Sequence, residues 1–405
     1  MLKNNYFKGV CLIAGTCIGA GMLGVPVKTA SAGFYPTIVA FLVVWLFMTG
    51  SALLLLESSL KFKGEINFIS MASSVFGKAG KNIAWVVCLL FLYSIMAAFA
   101  SGGASMLTKL FPINIKVAIL VFMLPFACII YLGTAWVAIV NKILTIGIIT
   151  FFMLLCITMF VASNKLQPIS NLSIGVDWKS IFWALPLLVT TFSYHEIIPS
   201  VKSYLKEETT PLKVAILLGG FIPLLIYIMW ELVVLLLVPI FGQNGLISML
   251  SSNINPGDGL IKYLLEHHHN NSNILLFMVG FSFCALTCSL TGTAWALFDF
   301  FADGLNIAKN KPKKIRHKLF LNSLTFIPPV SYAVLYPEGF LKALGFAGAF
   351  SSIIMIIFPS LMAYKLRAIN KISLYKAPIN NFFIWLIFLF GVLVFILEGF
   401  NNYGS

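Results

Sequence analysis

Gly15-Thr16-Cys17-Ile18-Gly19-Ala20-Gly21-Met22-Leu23-Gly24-Val25-Pro26 interrupts an apolar stretch of membrane length with four glycines and closes it with a proline. Within a helix, glycine costs about 1 kcal/mol relative to alanine and proline about 3, so the helix is predicted to break in mid-membrane. Backbone freed of its helical partners is tolerated at that depth only where it lines a cavity. In a polytopic membrane protein an interrupted helix points to a solute-binding site.

The rest of the chain supplies the membrane protein that this reading needs. Of 405 residues 60% are hydrophobic and 10% charged, and the mean hydropathy is +0.97, which leaves no room for a soluble domain. A spanning helix takes roughly 20 apolar residues. About eleven such stretches are predicted, near residues 7 to 30, 34 to 57, 82 to 108, 114 to 131, 136 to 161, 180 to 201, 211 to 240, 273 to 300, 318 to 336, 343 to 366 and 381 to 400. Lys3 and Lys8 before the first run, with Thr29-Ala30-Ser31-Ala32 after it, also outline a signal peptide. The run is long and glycine-broken, however, and reads as a retained span.

A net charge of +14 could suggest nucleic acid as a partner, but the basic residues are not gathered on one surface. Twenty of the 27 Lys and Arg fall in loops on one side, from Lys3 and Lys8 through Lys61, Lys78, Lys202 and Lys213 to the run Lys309 to Lys318 and the group Lys365 to Lys376. By the positive-inside rule that side is cytoplasmic, which puts the amino terminus in and, for an odd number of helices, the carboxyl terminus out. The lipid bilayer is therefore the expected partner of the surface. Seven cysteines all fall inside predicted spans, so no disulfide framework is expected.

The sixth span repeats the style of the first. Around Ser193-Tyr194-His195-Glu196-Ile197-Ile198-Pro199-Ser200 an apolar run meets two ionisable groups and then a proline. Five helices separate the two starts, so the spans enter from opposite sides. This is the pattern of a five-plus-five inverted repeat whose discontinuous helices 1 and 6 meet at the midplane. The repeats would cover residues 1–161 and 180–366, with 381–400 as an extra helix of one transmembrane transporter domain.

Further segments carry a family likeness. With Gly15 to Leu23 stand Leu53 to Glu57, Thr191 to Tyr204, Phe298-Asp299 with Ala302-Asp303, and Phe326-Ile327-Pro328-Pro329. Leu335-Tyr336-Pro337-Glu338-Gly339-Phe340 follows, running into Ala343-Leu344-Gly345. In this order, over essentially the whole chain, they resemble the bacterial hydroxy and aromatic amino acid permeases, the tyrosine and tryptophan transporters of the amino acid, polyamine and organocation superfamily. The resemblance implies a LeuT-like all-α fold and proton-driven uptake of an aromatic amino acid across the bacterial inner membrane. Tyrosine is favoured over tryptophan and phenylalanine because the likeness leans to the tyrosine permeases.

The residues support a site independently of that likeness. A half-helix starting at Gly21 and Met22 would offer unpaired N–H groups and a positive dipole end to a substrate carboxylate. Half-helices ending at Thr16 and Cys17, and near Ser193, would offer carbonyls to an ammonium. Gly19 and Gly21, with Ala20 between them, allow close approach to the backbone. Helix packing of the small-xxx-small kind is the blander reading of these glycines, which the adjacent proline and the second break outweigh. For an aromatic side chain the candidate pocket residues are Phe192, Tyr194, Tyr93, Thr287 and Thr291. Any one aromatic is more simply a packing or lipid-facing group, since 14% of the chain is Phe, Trp or Tyr.

Intramembrane ionisable residues are candidates for coupling. His195 comes first, because its charge changes in the physiological range, although a neutral hydrogen-bonding role is the plainer reading. Glu196 is adjacent but expected on another face, and Glu231 follows Trp230 deep in the seventh span. Lys142 opens the fifth span and reads first as a positive-inside charge. Some superfamily relatives use a lysine there in place of sodium, and Ile143 to Phe152 contain none. Sodium coupling through Thr287, Ser289 and Thr291 is therefore the alternative. Glu57, beside Lys61 and Lys63, reads as an interfacial ion partner. His267-His268-His269 with Glu266 reads as a solvated loop, and the stretch from Glu65 to Phe76 as a short interfacial helix. An integral membrane enzyme would need a nucleophile with a base, or a metal set. Neither spacing is present, and no cofactor is expected.

Overall fold

The computed structural model describes residues 2–19, 21–62, 68–161, 177–243, 245–251, 259–260, 263, 272–307, 314–337, 343, 347–348, 350–369 and 375–403. Regular structure among them is helical throughout. The helices are α1 (Leu2–Cys17), α2 (Gly21–Thr29), α3 (Phe34–Leu60), α4 (Phe68–Leu110), α5 (Ile115–Leu132), α6 (Thr134–Val161) and α7 (Trp178–Thr191). After a 3-10 turn at His195–Ile197 come α8 (Ile198–Tyr204), α9 (Thr209–Leu237), α10 (Leu246–Ser251), α11 (Ser272–Gly304) and α12 (Ile315–Leu335). A π-helical turn, Ile353–Ile357, leads into α13 (Phe358–Ala368), and α14 (Asn381–Tyr403) is the last of the described helices.

Nine segments of the described residues are long and apolar enough to cross a membrane, counting Trp178–Tyr204 across its turn as one. Two of the eleven predicted spans fall outside that number, for visible reasons. The first is divided between α1 and α2, so that its apolar helix Tyr6–Cys17 is too short by itself. The 21 residues of α12 contain Lys318, Asn322, Pro328 and Pro329, which dilute its hydropathy. The short helix expected from Glu65 to Phe76 is the first arm of α4 from Phe68 onward, bent from the rest at Gly77 with φ 72°; Glu65 to Asn67 lie outside the described residues. So do Glu266 to His269 and Lys309 to Lys313.

The bundle is built around α11, which packs against α6, α4 and α1, while α9 covers α1 and α3. Its exterior is apolar: Leu46, Leu124, Ile143, Ile327 and Leu389 are all more than half exposed, as lipid contact requires. The outer helix α14 is seated by a stacked pair, Phe390 on Phe47, at 4.3 Å.

One end of the bundle is tied by charge. Proximity in sequence suggests Lys61 and Lys63 as partners of Glu57, but the fold gives it Arg367 of α13. The guanidinium meets both carboxylate oxygens, at 2.8 and 2.6 Å, and the Ala377 N–H adds a third bond at 2.9 Å. Nearby, the buried Lys202 ammonium donates to the carbonyls of Ser59 and Phe62 at the end of α3. Ser70 and Ser200 donate to Asp303 and Asp299 of α11, each at 2.7 Å.

Candidate functional site

Helix α1 stops at Cys17 and α2 starts at Gly21, while α7 stops at Thr191. The three ends converge, and α9 holds them together. Its Tyr227 hydroxyl lies 2.7 Å from the Cys17 carbonyl and 2.9 Å from that of Thr191. The Cys17 thiol also donates to Thr191, at 3.5 Å. One turn along, Trp230 Nε1 donates to the Met22 carbonyl at 3.1 Å, and the Glu231 carboxylate accepts from Thr29 Oγ1 at 2.9 Å. Positions 227, 230 and 231 share one helix face, and that face grips the first span on both sides of its interruption.

Between the ends lies a cavity of about 20 Å³, room for about one water molecule. Thr16, Cys17, Gly19 and Gly21 line it from the first span, and Thr190, Thr191, Ser193 and Glu196 from around the second break. Ile95 and Phe99 of α4 and Ser289 and Thr293 of α11 complete the wall. Close approach accounts for two glycines. A Cβ at Gly19 would come within 2.9 Å of Ser289 Oγ, and one at Gly21 within 3.1 Å of Thr191 Oγ1.

The remaining predicted site residues lie off this wall. Phe192 is fully buried in an aromatic group, 4.9 Å from Tyr227 and 6.2 Å from Phe41. Met22 is buried and offers its carbonyl to Trp230. Tyr93 donates to the Leu324 carbonyl at 2.7 Å and lines a separate cavity of about 220 Å³ with Pro328, Pro329 and Tyr332. Thr287 and Thr291 bond back along their own helix, to Phe283 and Thr287, each at 2.7 Å. Ser289 and Thr293, two residues on in each case, hold the cavity face instead. Ala20 lies outside the described residues.

Of the adjacent ionisable pair, the sequence reading set His195 at the site and turned Glu196 away, and the structure places them the other way round. Successive side chains of a 3-10 turn point a third of a revolution apart. The His195 ring stacks on Tyr194, with centroids at 5.1 Å, and lies beside Met48 of α3 with neither ring nitrogen in a hydrogen bond. Glu196, 4% exposed, reaches the cavity with an Oε2 that makes no hydrogen bond. Lys142 is half-buried, its ammonium 5.7 Å above the Phe7 ring, and does not line the cavity.

Ser289 Oγ makes a second polar feature, lying 2.9 Å from the Thr16 carbonyl, 3.2 Å from Ile18 and 3.3 Å from Gly15. Among the described residues no group of three or more His, Cys, Asp or Glu gathers to hold a metal ion. Sequence reasoning missed Tyr227, which bridges the two breaks. The signal available was the spacing of Tyr227, Trp230 and Glu231, three polar-tipped side chains on one face of an otherwise aliphatic span.

The chain has relatives in sequence and in fold. A tyrosine-specific transport system of Haemophilus influenzae is 33% identical over 389 residues, 95% of this chain and 94% of that protein. A tryptophan-specific transport protein of the same organism is 28% identical, covering 98% and 96%, and a low affinity tryptophan permease of Escherichia coli 27%, covering 99% and 96%. A glutamine transporter of Aliivibrio fischeri is 26% identical, covering 97% and 98%. Among solved structures, a variant of the Eremococcus coleocola manganese transporter superposes with a TM-score of 0.63 at 12% identity, over 97% of this chain and 85% of that one, a likeness of fold alone. The model of the tryptophan/tyrosine permease family matches residues 2–398. These are multi-pass transporters and not enzymes, and this chain belongs to the tryptophan/tyrosine permease family.

Proposed function

We propose that this chain imports an aromatic amino acid, tyrosine ahead of tryptophan and phenylalanine, across the bacterial inner membrane by proton symport. The observation that carries the reading is the convergence of the α1, α2 and α7 ends on one cavity walled by Glu196. The tyrosine-specific relative at 33% identity supports the substrate class. The helix ends and the fold likeness support a LeuT-like five-plus-five architecture of about eleven spans, with repeats at 1–161 and 180–366. Its amino terminus is cytoplasmic and its carboxyl terminus outside.

In this reading the substrate carboxylate meets the N–H of Gly21 and that of Met22, which in the closed form donates to the Gly19 carbonyl at 3.3 Å, and its ammonium meets the carbonyls that end α1 and α7. A carbonyl has two lone pairs, so one already bonded to Tyr227 can still accept. Phe99, Ile95 and Thr191 flank the ring. A cavity of about 20 Å³ is far smaller than an aromatic amino acid, so this is a closed form that must part to admit substrate. One proton crossing about 150 mV down half a pH unit supplies on the order of 4 kcal/mol, enough for roughly thousandfold accumulation.

Uptake of labelled tyrosine into proteoliposomes, under an inside-negative potential and an inward proton gradient in sodium-free buffer, tests this. Accumulation collapsed by a protonophore is the expected result, and no transport of any aromatic amino acid would sink the substrate class. One observation favours sodium symport as a second reading, the cluster of Ser289 Oγ with three carbonyls of the first span. Accumulation that appears only when sodium is added would establish it.

A further inference from the structure

A second, smaller cavity lies against the first, and one side chain borders both. It holds about 10 Å³ and is lined by Phe68, Cys88, Phe91 and Leu92 of α4, Ala296 and Phe300 of α11, Ile354 and Glu196. Phe68 opens α4, and Phe300 lies a turn from Asp303, so this cavity points to the end of the bundle that carries Lys202, Arg367 and the Ser70 to Asp303 bond. The positive-inside rule makes that end cytoplasmic. Apart from Glu196 and the Cys88 thiol the described lining is apolar.

Resting on the proton symport reading, we infer that Glu196 is the proton carrier, taking up the co-transported proton at the substrate cavity and releasing it through the smaller cavity toward the cytoplasm. Two features together single it out. Among the described residues it is the one group that walls both cavities. Its Oε2 is buried without a hydrogen bond, and an ionised carboxylate shut in without a counter-charge is costly, so the closed form favours the neutral acid. A neutral acid has an O–H to donate to the substrate's carboxylate, whereas the ionised group would repel it. Proton and substrate thereby strengthen each other's binding, which is the sign that symport demands. Opening of the smaller cavity to cytoplasmic water hydrates Glu196 first; the proton leaves to water, the donor is lost, and the substrate's hold weakens.

The titratable groups around it are few. Cys17 of α1 and Cys88 of α4 share its cavities, and His195 on its own turn is directed at α3. The residues facing it from α11 and from Ile354 do not titrate. Of the other buried acids, Glu231 shares the unbonded Oε2 but lines neither cavity and is held through Oε1 by Thr29, while Glu57 is paired with Arg367 and Asp303 accepts from Ser70.

The test compares wild type with Glu196→Gln in proteoliposomes. In the variant the pH-driven accumulation ratio is expected to fall to about 1, with exchange of internal for external tyrosine slowed but indifferent to pH between about 5 and 8. A variant that still concentrates tyrosine on a proton gradient overturns the inference alone. Wild type that ignores a protonophore overturns the symport reading and the inference with it. Should the variant be inactive in both assays, labelling of wild type with a hydrophobic carbodiimide decides. Only a protonated carboxyl adds across the reagent's C=N bond, with nothing released. Label at Glu196 that falls as pH rises and is blocked by tyrosine supports the assignment; no label, or label indifferent to pH, refutes it.

Discussion

Replacing Tyr227 by Phe deletes one oxygen and leaves the ring. The ring's contacts with Phe192 at 4.9 Å and Phe41 at 6.3 Å are apolar, so the core around it should keep its shape. The loss falls on the Cys17 and Thr191 carbonyls, which have the hydroxyl at 2.7 and 2.9 Å. One hydroxyl has one proton, so a single full bond or two shared ones disappear. A buried acceptor left unsatisfied costs about 1–3 kcal/mol. The Cys17 thiol still reaches Thr191, and a water in the adjacent cavity can reach one carbonyl, which holds the expected cost to about 1–2 kcal/mol. Because these carbonyls end the helices that receive the substrate ammonium, the penalty should appear in binding. At 1.4 kcal/mol per factor of ten, KM for tyrosine should rise roughly tenfold, and equally for tryptophan. Initial rates of labelled uptake over a substrate series, normalised to folded protein by size-exclusion chromatography, provide the measurement. A KM within about twofold of wild type, in a protein that remains folded, would refute the idea that Tyr227 sets the spacing of the two helix ends.

Other consequences follow from the packing. Glu57→Gln alone, or Arg367→Met alone, strands one partner of a pair in which Glu57 is 1% exposed. Each should cost about 3–5 kcal/mol and lower the melting temperature of the detergent-solubilised protein sharply, while the double change to methionine should restore most of it. Equal losses in single and double variants would show that the pair is not the source. At Gly292 an added Cβ would strike the Thr16 side chain at the lip of the cavity. Gly292→Ala should therefore cut tyrosine uptake at least about tenfold, as overpacking of about 1–3 kcal/mol predicts, and adding Thr16→Ala should recover part of it. Uptake by Gly292→Ala at the wild-type rate would mean that the two helices part without cost.

The sequence by itself determined the solvent and the punctuation. Mean hydropathy and basic loops require a membrane bundle, because apolar runs of that length have no other stable place. Glycines before Pro26 and the polar group before Pro199 mark where helices stop, because both are local properties of backbone and side chain. Which side chains face one another is not local. Glu196 and His195 are neighbours in sequence, and only the pitch of a 3-10 turn seated between α3 and α11 decided that the acid reaches the cavity. Two residues of register on α11 likewise gave Ser289 and Thr293 the place expected of Thr287 and Thr291. Tyr227 and Arg367 act on partners 210 and 310 positions away, and no period or motif encodes such a distance. Those pairings exist because burying a carbonyl or a carboxylate demands a donor, and packing decides which helix supplies it.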